Sequence, residues 1–344
     1  MDKYWSERAE QSMKRGEVSA EKMLTTMLKE YDATKRLITK EIESFIGRYA
    51  TASGLTIMEV RKLLTKEEFN DFQKILKEYA KLVSKIGNKD TSNYYKDKVE
   101  RLLIRKNISR LQSIEASIDS YIVELGVKEQ EALSSIMGTV YEDTYYRAMF
   151  DLDKYIGYGV PVNGVSKYKL DTVLKEQWAG SNYSDRIWQN KTKLTEQLNT
   201  TFLRGIIANR DSSQIAKEMS KNLGVSYFNC KRLVFTETAH IIETATLNSY
   251  RDTGVVKKYQ ILATLDLKTS EICQEMDRKI FNVSEAVEGI NYPPFHPFCR
   301  TTTVPYIDDA IIESTRYARD KYGRGMQVPA SMTYKEWYKT FIEK

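Results

Sequence analysis

The sequence is poor in several residue types that characterise whole classes of protein. It has only 6 prolines and 16 glycines in 344 residues, too few for a proline- or glycine-rich disordered chain. Its three cysteines cannot form the disulfide framework of a secreted domain, so they predict reduced thiols or a metal site. Its apolar runs are broken by charged residues well before the roughly 20 positions that span a bilayer. These shortages argue against disordered, disulfide-rich and membrane-spanning classes.

The residues that are present indicate a soluble, helix-rich protein. Hydrophobic residues make up 41% and charged residues 29%, and the length is sufficient for two domains. The net charge of +6 is mild and well short of that of a strongly basic DNA binder. The first eleven residues contain acids and no apolar core, so we expect no secretory signal and a product made in the cytoplasm.

The first half of the chain has helical periodicity. Two capping boxes are predicted, at Thr56–Glu59 and Thr65–Glu68, and the second begins a helix. A long helix is predicted from Val99 to Leu125, with Gly126 as its end, and another helix to about Phe150. An earlier stripe with spacings of three and four predicts a helix packed in a bundle rather than a dimeric coiled coil: Leu24, Leu28, Tyr31, Ile38, Ile42, Phe45 and Tyr49. We therefore predict a helical N-terminal domain over residues 1–156.

The second half changes character after a turn-rich segment at 157–164. Helices are predicted around 170–178, 185–205, 211–222 and 226–252, and strands at 255–265 and 279–283. We predict a C-terminal domain over 157–344 with its motif core at 226–306. The fold class is mainly α with a smaller α+β C-terminal module, which adds a short antiparallel sheet and a proline-rich loop to its helices.

The proline-rich loop, from Asp266 to Pro305, contains three residues that can bind zinc. Cys273, His296 and Cys299 supply two thiols and an imidazole, and the His-x-x-Cys spacing can bring two of these groups to one ion. This predicts a candidate structural zinc. A fourth ligand would come from His240, Cys230, Asp266 or Asp277. The alternative is that buried thiols and a hydrogen-bonded histidine simply hold the loop in place.

Several separated motifs in the second half resemble one family. They are WAGSNYSDRIWQNKTKL, RLVFTETAHIIETA, LDLKTSEICQEMDRKIF, NYPPFHPFCRTTTVPY and VPASMTYKEWYKTF, and together they cover roughly residues 170–344. In this order they resemble the Mu F-like phage head morphogenesis family. The chain departs from that family at Ser270, where many members have a cysteine, and at Arg278, where they have glycine.

The resemblance implies a phage minor head protein, a minor capsid component of the virion and not an enzyme. Such a protein associates with the portal and other head proteins, at the head interior or portal vertex, and accompanies DNA during packaging or ejection. A structural role is expected for a set of motif residues: the polar side chains would satisfy backbone groups or pair with each other, and the prolines would make the loop rigid. These residues are Glu237, Asp266, Asp277, Pro293, Pro294 and Arg300.

A different class of function remains open from the residues alone. Cys273, His296 and Cys299, with a nearby glutamate, could serve a metal-dependent hydrolase or nuclease. Glu237, His240 and Glu243 are spaced by three on a predicted helix. They share a face, which is either an acid/base cluster or a polar face with contacts along the helix.

The first half also offers candidate contacts with partners. A helix predicted near 96–110 has an excess of positive charge, which is a candidate surface for non-specific contact with double-stranded DNA or an ordinary solvated face. Arg101 and Arg105 would share one side of that helix, and Lys106 and Arg110 another. A helical arm with apolar stripes is also a candidate for self-association or packing into a partner's groove.

Overall fold

The computed structural model describes residues 3–52, 54–156, 164–306, 315–319, 324–329, 332 and 334–341. The chain forms two compact units, each assembled from separated segments. We call Met23–Leu133 with Ser181–Lys231 the helical unit. Met1–Lys22, Ser134–Gly180 and Arg232–Lys344 form the mixed unit.

Helices dominate the described chain up to residue 253. They are α1 (Lys3–Tyr49), α2 (Ile57–Arg61), α3 (Lys66–Val83), α4 (Lys89–Leu103), α5 (Arg110–Ile156), α6 (Lys167–Lys175), α7 (Tyr183–Ile207) and α8 (Ser212–Thr253). Short elements follow: β1 (Lys258–Leu262), α9 (Glu271–Met276), β2 (Ile280–Asn282), β3 (Thr302–Tyr306), β4 (Thr315–Arg319), β5 (Gly325–Pro329) and α10 (Tyr334–Phe341). This confirms the predicted fold class, mainly α with a smaller α+β module.

Side-chain caps begin several of these helices, as the sequence indicated. The box at Thr65 is complete, because Thr65 Oγ1 accepts from the amide of Glu68 while Glu68 accepts from the amide of Thr65. At Thr56 only half of the box forms. Its hydroxyl accepts from the amide of Glu59, whose carboxylate instead pairs with Lys62 and Arg110.

The apolar stripe of α1 is packed inside the helical unit. Except for Leu28, whose side chain is exposed, its members are buried: Leu24, Tyr31, Ile38, Ile42, Phe45 and Tyr49. This confirms the prediction of a helix packed in a bundle. The stripe is not free to bind a partner.

Gly126 does not end a helix, contrary to the prediction, because α5 continues through it to Ile156. A Cβ at this position would lie 2.7 Å from the Trp188 ring and 3.0 Å from Lys191 Cγ, and both of those side chains are fully buried. The glycine therefore allows α7 to approach α5 closely. The helices predicted at 211–222 and 226–252 are likewise one helix, α8, which includes Gly224.

The long helix predicted from Val99 to Leu125 is interrupted. α4 ends at Leu103 and α5 begins at Arg110. The connection pairs with residues 62–64, since the amide of Leu64 donates to the carbonyl of Ile108 and that of Arg110 to the carbonyl of Lys62. These long-range hydrogen bonds replace helical ones, which explains the break.

The mixed unit contains the predicted antiparallel sheet. Its strand order is β2-β1-β3, with Tyr259 opposite both Phe281 and Pro305. Tyr259 and Ile261 of β1 are fully buried, and they belong to a core that also includes Tyr250 of α8 and Tyr292. A second, two-stranded sheet pairs β4 with β5. Val328 of β5 packs with Leu265 and Trp337.

The domain division at residues 156/157 stays a prediction. The two compact units are divided differently, because α1, α5 and α8 each supply residues to both. Of the turn-rich segment at 157–164, residues 157–163 lie outside the described residues. None of the described helices combines the length and apolar character of a bilayer-spanning segment.

Candidate functional site

The proline-rich loop brings together the three residues that were predicted as metal ligands. Cys273 lies on α9, whereas His296 and Cys299 lie on the segment that leads into β3. The Cys273 and Cys299 sulfurs are 3.7 Å apart, and His296 Nε2 is 3.2 Å from Cys273 Sγ. We call these residues the Cys–His cluster, whose ligand atoms all lie within 4.8 Å of one another. Both cysteines are buried and not disulfide-bonded.

Hydrogen bonds fix the orientation of the His296 ring. Nδ1 lies 2.8 Å from the carbonyl oxygen of Pro297. Because a carbonyl can only accept, Nδ1 must carry a proton and donate. Nε2 then faces Cys273 Sγ and Ser270 Oγ, the latter at 2.7 Å. The ring nitrogen that a metal would use therefore points into the cluster.

The two thiols of the cluster differ in acidity. A hydrogen bond from Cys299, with a further one from His296, lowers the pKa of Cys273 to about 4. The pKa of Cys299 is raised, because its proton is held by Cys273 and because it is buried. The hydrogen bond with Cys273 also raises the pKa of His296. Of the two thiols, Cys273 is therefore the one that loses its proton more readily.

An ion pair fixes the loop on either side of the cluster. The Arg300 guanidinium donates to both carboxylate oxygens of Asp266, with Nη2 to Oδ1 at 2.7 Å. Burial opposes ionisation of Asp266, but the hydrogen bonds from Arg300 outweigh it and lower the pKa of the carboxyl. Between these two residues the chain includes Pro293 and Pro294, which are joined by a cis peptide bond.

Asp277 and Arg278 form the turn between α9 and β2. Asp277 Oδ1 accepts from the amide of Ala263 at 3.0 Å. Arg278 has φ +66°, in the left-handed region that glycine occupies without strain. Its amide donates to the carbonyl of Ile261. The turn is thus present although the chain has arginine at this position, at a backbone cost of about 1 kcal/mol.

Glu237, His240 and Glu243 are all buried, so they do not form a solvated polar face of α8. Each contacts a side chain outside α8. Trp178 Nε1 donates to Glu237 at 3.0 Å, and its ring stacks on His240 with centroids 4.6 Å apart. His240 Nδ1 lies 2.6 Å from Glu288.

Glu243 of α8 is buried against β3. The hydroxyls of Thr302 and Thr303 on β3 donate to its two oxygens, at 2.5 and 3.2 Å. Complete burial nevertheless raises the pKa of Glu243 to about 8. It is therefore largely protonated at neutral pH and joins α8 to the sheet without a counter-charge.

The four residues considered as a further metal ligand have other environments. His240 is engaged by Glu288, Asp266 by Arg300 and Asp277 by the amide of Ala263. Cys230 belongs to the helical unit, where burial raises the pKa of its thiol. Within the described residues, the group that could hold an ion consists of Cys273, His296 and Cys299 alone.

The basic residues proposed for DNA contact do not share one helix. Arg101 lies on α4, whereas Arg105 and Lys106 are exposed in the connection that follows it. Arg110 begins α5, and its guanidinium pairs with Glu59 at 3.2 Å and lies 4.0 Å from the centre of the Tyr49 ring. The shared faces predicted for Arg101 with Arg105 and for Lys106 with Arg110 were wrong, because the helix is interrupted.

Two features of the site were missed by sequence reasoning. Ser270 had been noted only as a departure from the family, yet its hydroxyl is the closest neighbour of His296 Nε2 described above. The contact between Trp178 and His240 joins positions 62 residues apart, and no local pattern indicates it. In the sequence, Trp178 was noted only as part of the family motif WAGSNYSDRIW.

Comparison with known proteins identifies this region. Residues 196–304 match the model of the family described as Phage Mu protein F like protein. The match includes the Cys–His cluster and the pair of Asp266 and Arg300. Comparisons with curated proteins and with solved structures gave no match for the chain. The resemblance is thereby confirmed over residues 196–304, where the chain is similar to Mu F-like phage head proteins.

Proposed function

We propose that the chain is a minor capsid protein that associates with the portal and other head proteins during head assembly. In this role it resides in the virion, at the head interior or portal vertex, and accompanies the DNA at packaging or ejection. The observation that carries the proposal is the family match over residues 196–304. The structure of the matched loop supports a part in assembly rather than in chemistry.

The polar motif residues are used to build the fold. Asp266 is paired with Arg300, Asp277 accepts from a backbone amide, and Glu237 accepts from an indole nitrogen. Carboxylates used in this way stabilise an irregular loop. This supports a structural protein over the alternative of a metal-dependent hydrolase or nuclease.

The helical unit offers an exposed apolar surface for a partner. Met58 and Ile104 are 75% and 80% exposed, and Leu63 is 53% exposed. The segments that carry Leu63 and Ile104 are joined by the backbone pairing of residues 62–64 with 108–110. Apolar side chains that are grouped on the surface of a well-packed scaffold mark protein interfaces, whereas single exposed ones do not. We assign the portal contact to this surface, with self-association as the competing occupant.

Capture of an assembled portal ring tests the proposal. We expect the full chain to retain the portal protein encoded alongside it, and Ile104→Lys to weaken retention at least tenfold, because a charge replaces an apolar contact (about 1.4 kcal/mol or more). Phe150→Lys is the matched control, since Phe150 is also exposed, at 64%, but lies on the part of α5 in the mixed unit. Retention of neither the portal nor any other head protein by folded wild-type chain would contradict the proposal.

Non-specific contact with duplex DNA is assigned to Arg101, Arg105 and Lys106. Lys98 of the same helix is instead paired with the buried Asp119, and Arg110 with Glu59. Replacing the three residues with glutamine should make the slope of log binding constant against log salt concentration shallower. The change should correspond to the loss of up to about three phosphate contacts. Lys74→Gln with Lys81→Gln, on the exposed side of α3, is the control. Equal loss of DNA retention in both variants would show that these positions are not specific.

The enzyme alternative makes a separate prediction. Zinc-loaded chain would hydrolyse duplex DNA or a peptide, and Cys299→Ser would abolish turnover while the fold remained intact. We expect no such turnover. Its detection would replace the structural proposal.

A further inference from the structure

We propose that the Cys–His cluster binds one Zn²⁺, with Ser270 beside the fourth coordination position. The site would join α9 to the segment that leads into β3, and so close the irregular loop of the mixed unit. This goes beyond the proposed role in head assembly. It concerns the stability of one unit and stands whether or not the chain binds a portal.

The distances in the cluster agree with a tetrahedral zinc site. Zinc–sulfur bonds of about 2.3 Å at tetrahedral angles place two thiolate sulfurs roughly 3.8 Å apart. The Cys273 and Cys299 sulfurs are 3.7 Å apart. For a sulfur and an imidazole nitrogen the corresponding separation is about 3.6 Å, and Cys273 Sγ lies 3.2 Å from His296 Nε2. These two separations lie within a few tenths of an ångström of the tetrahedral values.

The surroundings of His296 are those of a metal ligand. Histidines that bind metals usually donate their second ring N–H to a carboxylate or a backbone carbonyl, which fixes the tautomer. His296 Nδ1 makes such a bond to Pro297. The amide of Cys299 donates to the carbonyl of His296, which fixes the turn that separates the two ligands.

The backbone that carries the ligands is held from outside the cluster. Arg300, directly after Cys299, forms the bidentate pair with Asp266, and the amide of Phe298 donates to Thr236 Oγ1 on α8 at 3.2 Å. Cys273 lies in the first turn of α9. Ligands in fixed positions lose little conformational entropy on binding, so an ion of modest concentration can occupy the site.

Ser270 marks the fourth position. Its hydroxyl lies 2.7 Å from His296 Nε2, and Cys273 Sγ lies 3.2 Å from the same nitrogen. Ser270 also directly precedes α9, the helix that carries Cys273, so its hydroxyl is placed to approach the remaining vertex of the tetrahedron. A serine hydroxyl is a much weaker zinc ligand than a thiolate. Ser270→Cys should therefore convert three strong ligands into four.

The first test is zinc content. Reduced full-length chain, incubated with Zn²⁺ and dialysed, should retain one zinc per chain, and Cys273→Ser and Cys299→Ser should lose it. Cys230→Ala is the matched control, because Cys230 is equally buried but lies in the helical unit, and it should retain one zinc. Zinc-free wild-type chain, or full zinc in Cys299→Ser, would overturn the proposal.

Absorption spectra of the Co²⁺-loaded chain test the site even if the serine variants fail to fold, because they are recorded on the wild-type chain. Wild-type chain loaded with Co²⁺ should show tetrahedral visible bands and charge-transfer absorption from two thiolates. Ser270→Cys should add a third thiolate to this spectrum and tighten zinc binding roughly tenfold or more, whereas Ser270→Ala should not tighten it. An octahedral cobalt spectrum, or a Cys273–Cys299 disulfide that persists in reduced chain supplied with zinc, would overturn the proposal.

Discussion

Replacing Lys191 with methionine is expected to lower the free energy of unfolding by roughly 3–5 kcal/mol, because it leaves a buried carboxylate without its counter-charge. Lys191 Nζ lies 2.6 Å from Glu129 Oε2, and the exposed fractions of the two side chains are 0% and 1%. The Tyr31 hydroxyl donates to the same carboxylate at 3.0 Å. Methionine conserves the length and apolar stem of lysine, so loss of charge dominates the effect.

Two variants separate charge from packing in this experiment. Adding Glu129→Gln to Lys191→Met should restore much of the stability, because no net charge then remains buried. Lys74→Met breaks the pair of Lys74 with Asp71, whose side chains are 79% and 68% exposed, and should leave the urea midpoint unchanged. If Lys191→Met changes the urea midpoint as little as Lys74→Met does, the buried pair of Lys191 and Glu129 does not stabilise the fold as described.

The stability of the folded chain is expected to fall as pH rises from about 4.5 to about 8, because of Glu243. In the unfolded chain this carboxyl has its ordinary value of 4.5, whereas burial raises its pKa to about 8 in the folded state. Between these two values the folded state holds the proton more tightly, so raising the pH favours unfolding. The loss is on the order of 4 kcal/mol across the interval.

Glu243→Gln tests this assignment directly. Glutamine is neutral at every pH and keeps a carbonyl oxygen that can accept from Thr302, so the decline in stability between pH 5 and 8 should largely disappear. Glu271→Gln, at an exposed position on α9, should keep the wild-type slope. Urea unfolding at several pH values measures both, and equal slopes for wild type and Glu243→Gln would refute the assignment.

The sequence predicted the elements whose causes are local. The stripe of α1, the box at Thr65 and the strand at β1 depend on spacing or capping within a few residues, and each was found. Helix ends were predicted less well. Gly126 has the sequence signature of a helix end but is required for the approach of Trp188, and the break before Arg110 depends on pairing with residues near 63.

The same distinction holds for the site. His296 and Cys299 are close in sequence, and a second thiol, Cys273, lies in the same proline-rich loop. These residue types and their spacing indicated the cluster. The partner of Glu243 is Thr302, 59 residues away, and the role of Ser270 depends on how α9 lies against His296. Only the folded chain shows that Arg278 keeps a turn for which glycine is better suited. Tertiary contacts decide these features, and local patterns do not contain them.

The most direct test of the central claim is to measure the chain in purified heads. Co-expression with its portal and major head proteins, followed by purification of assembled heads and quantitative mass spectrometry, should find the chain at a few copies per head. Omitting the portal should remove it. Heads that assemble with the portal but contain none of the chain would contradict its assignment as a minor capsid protein.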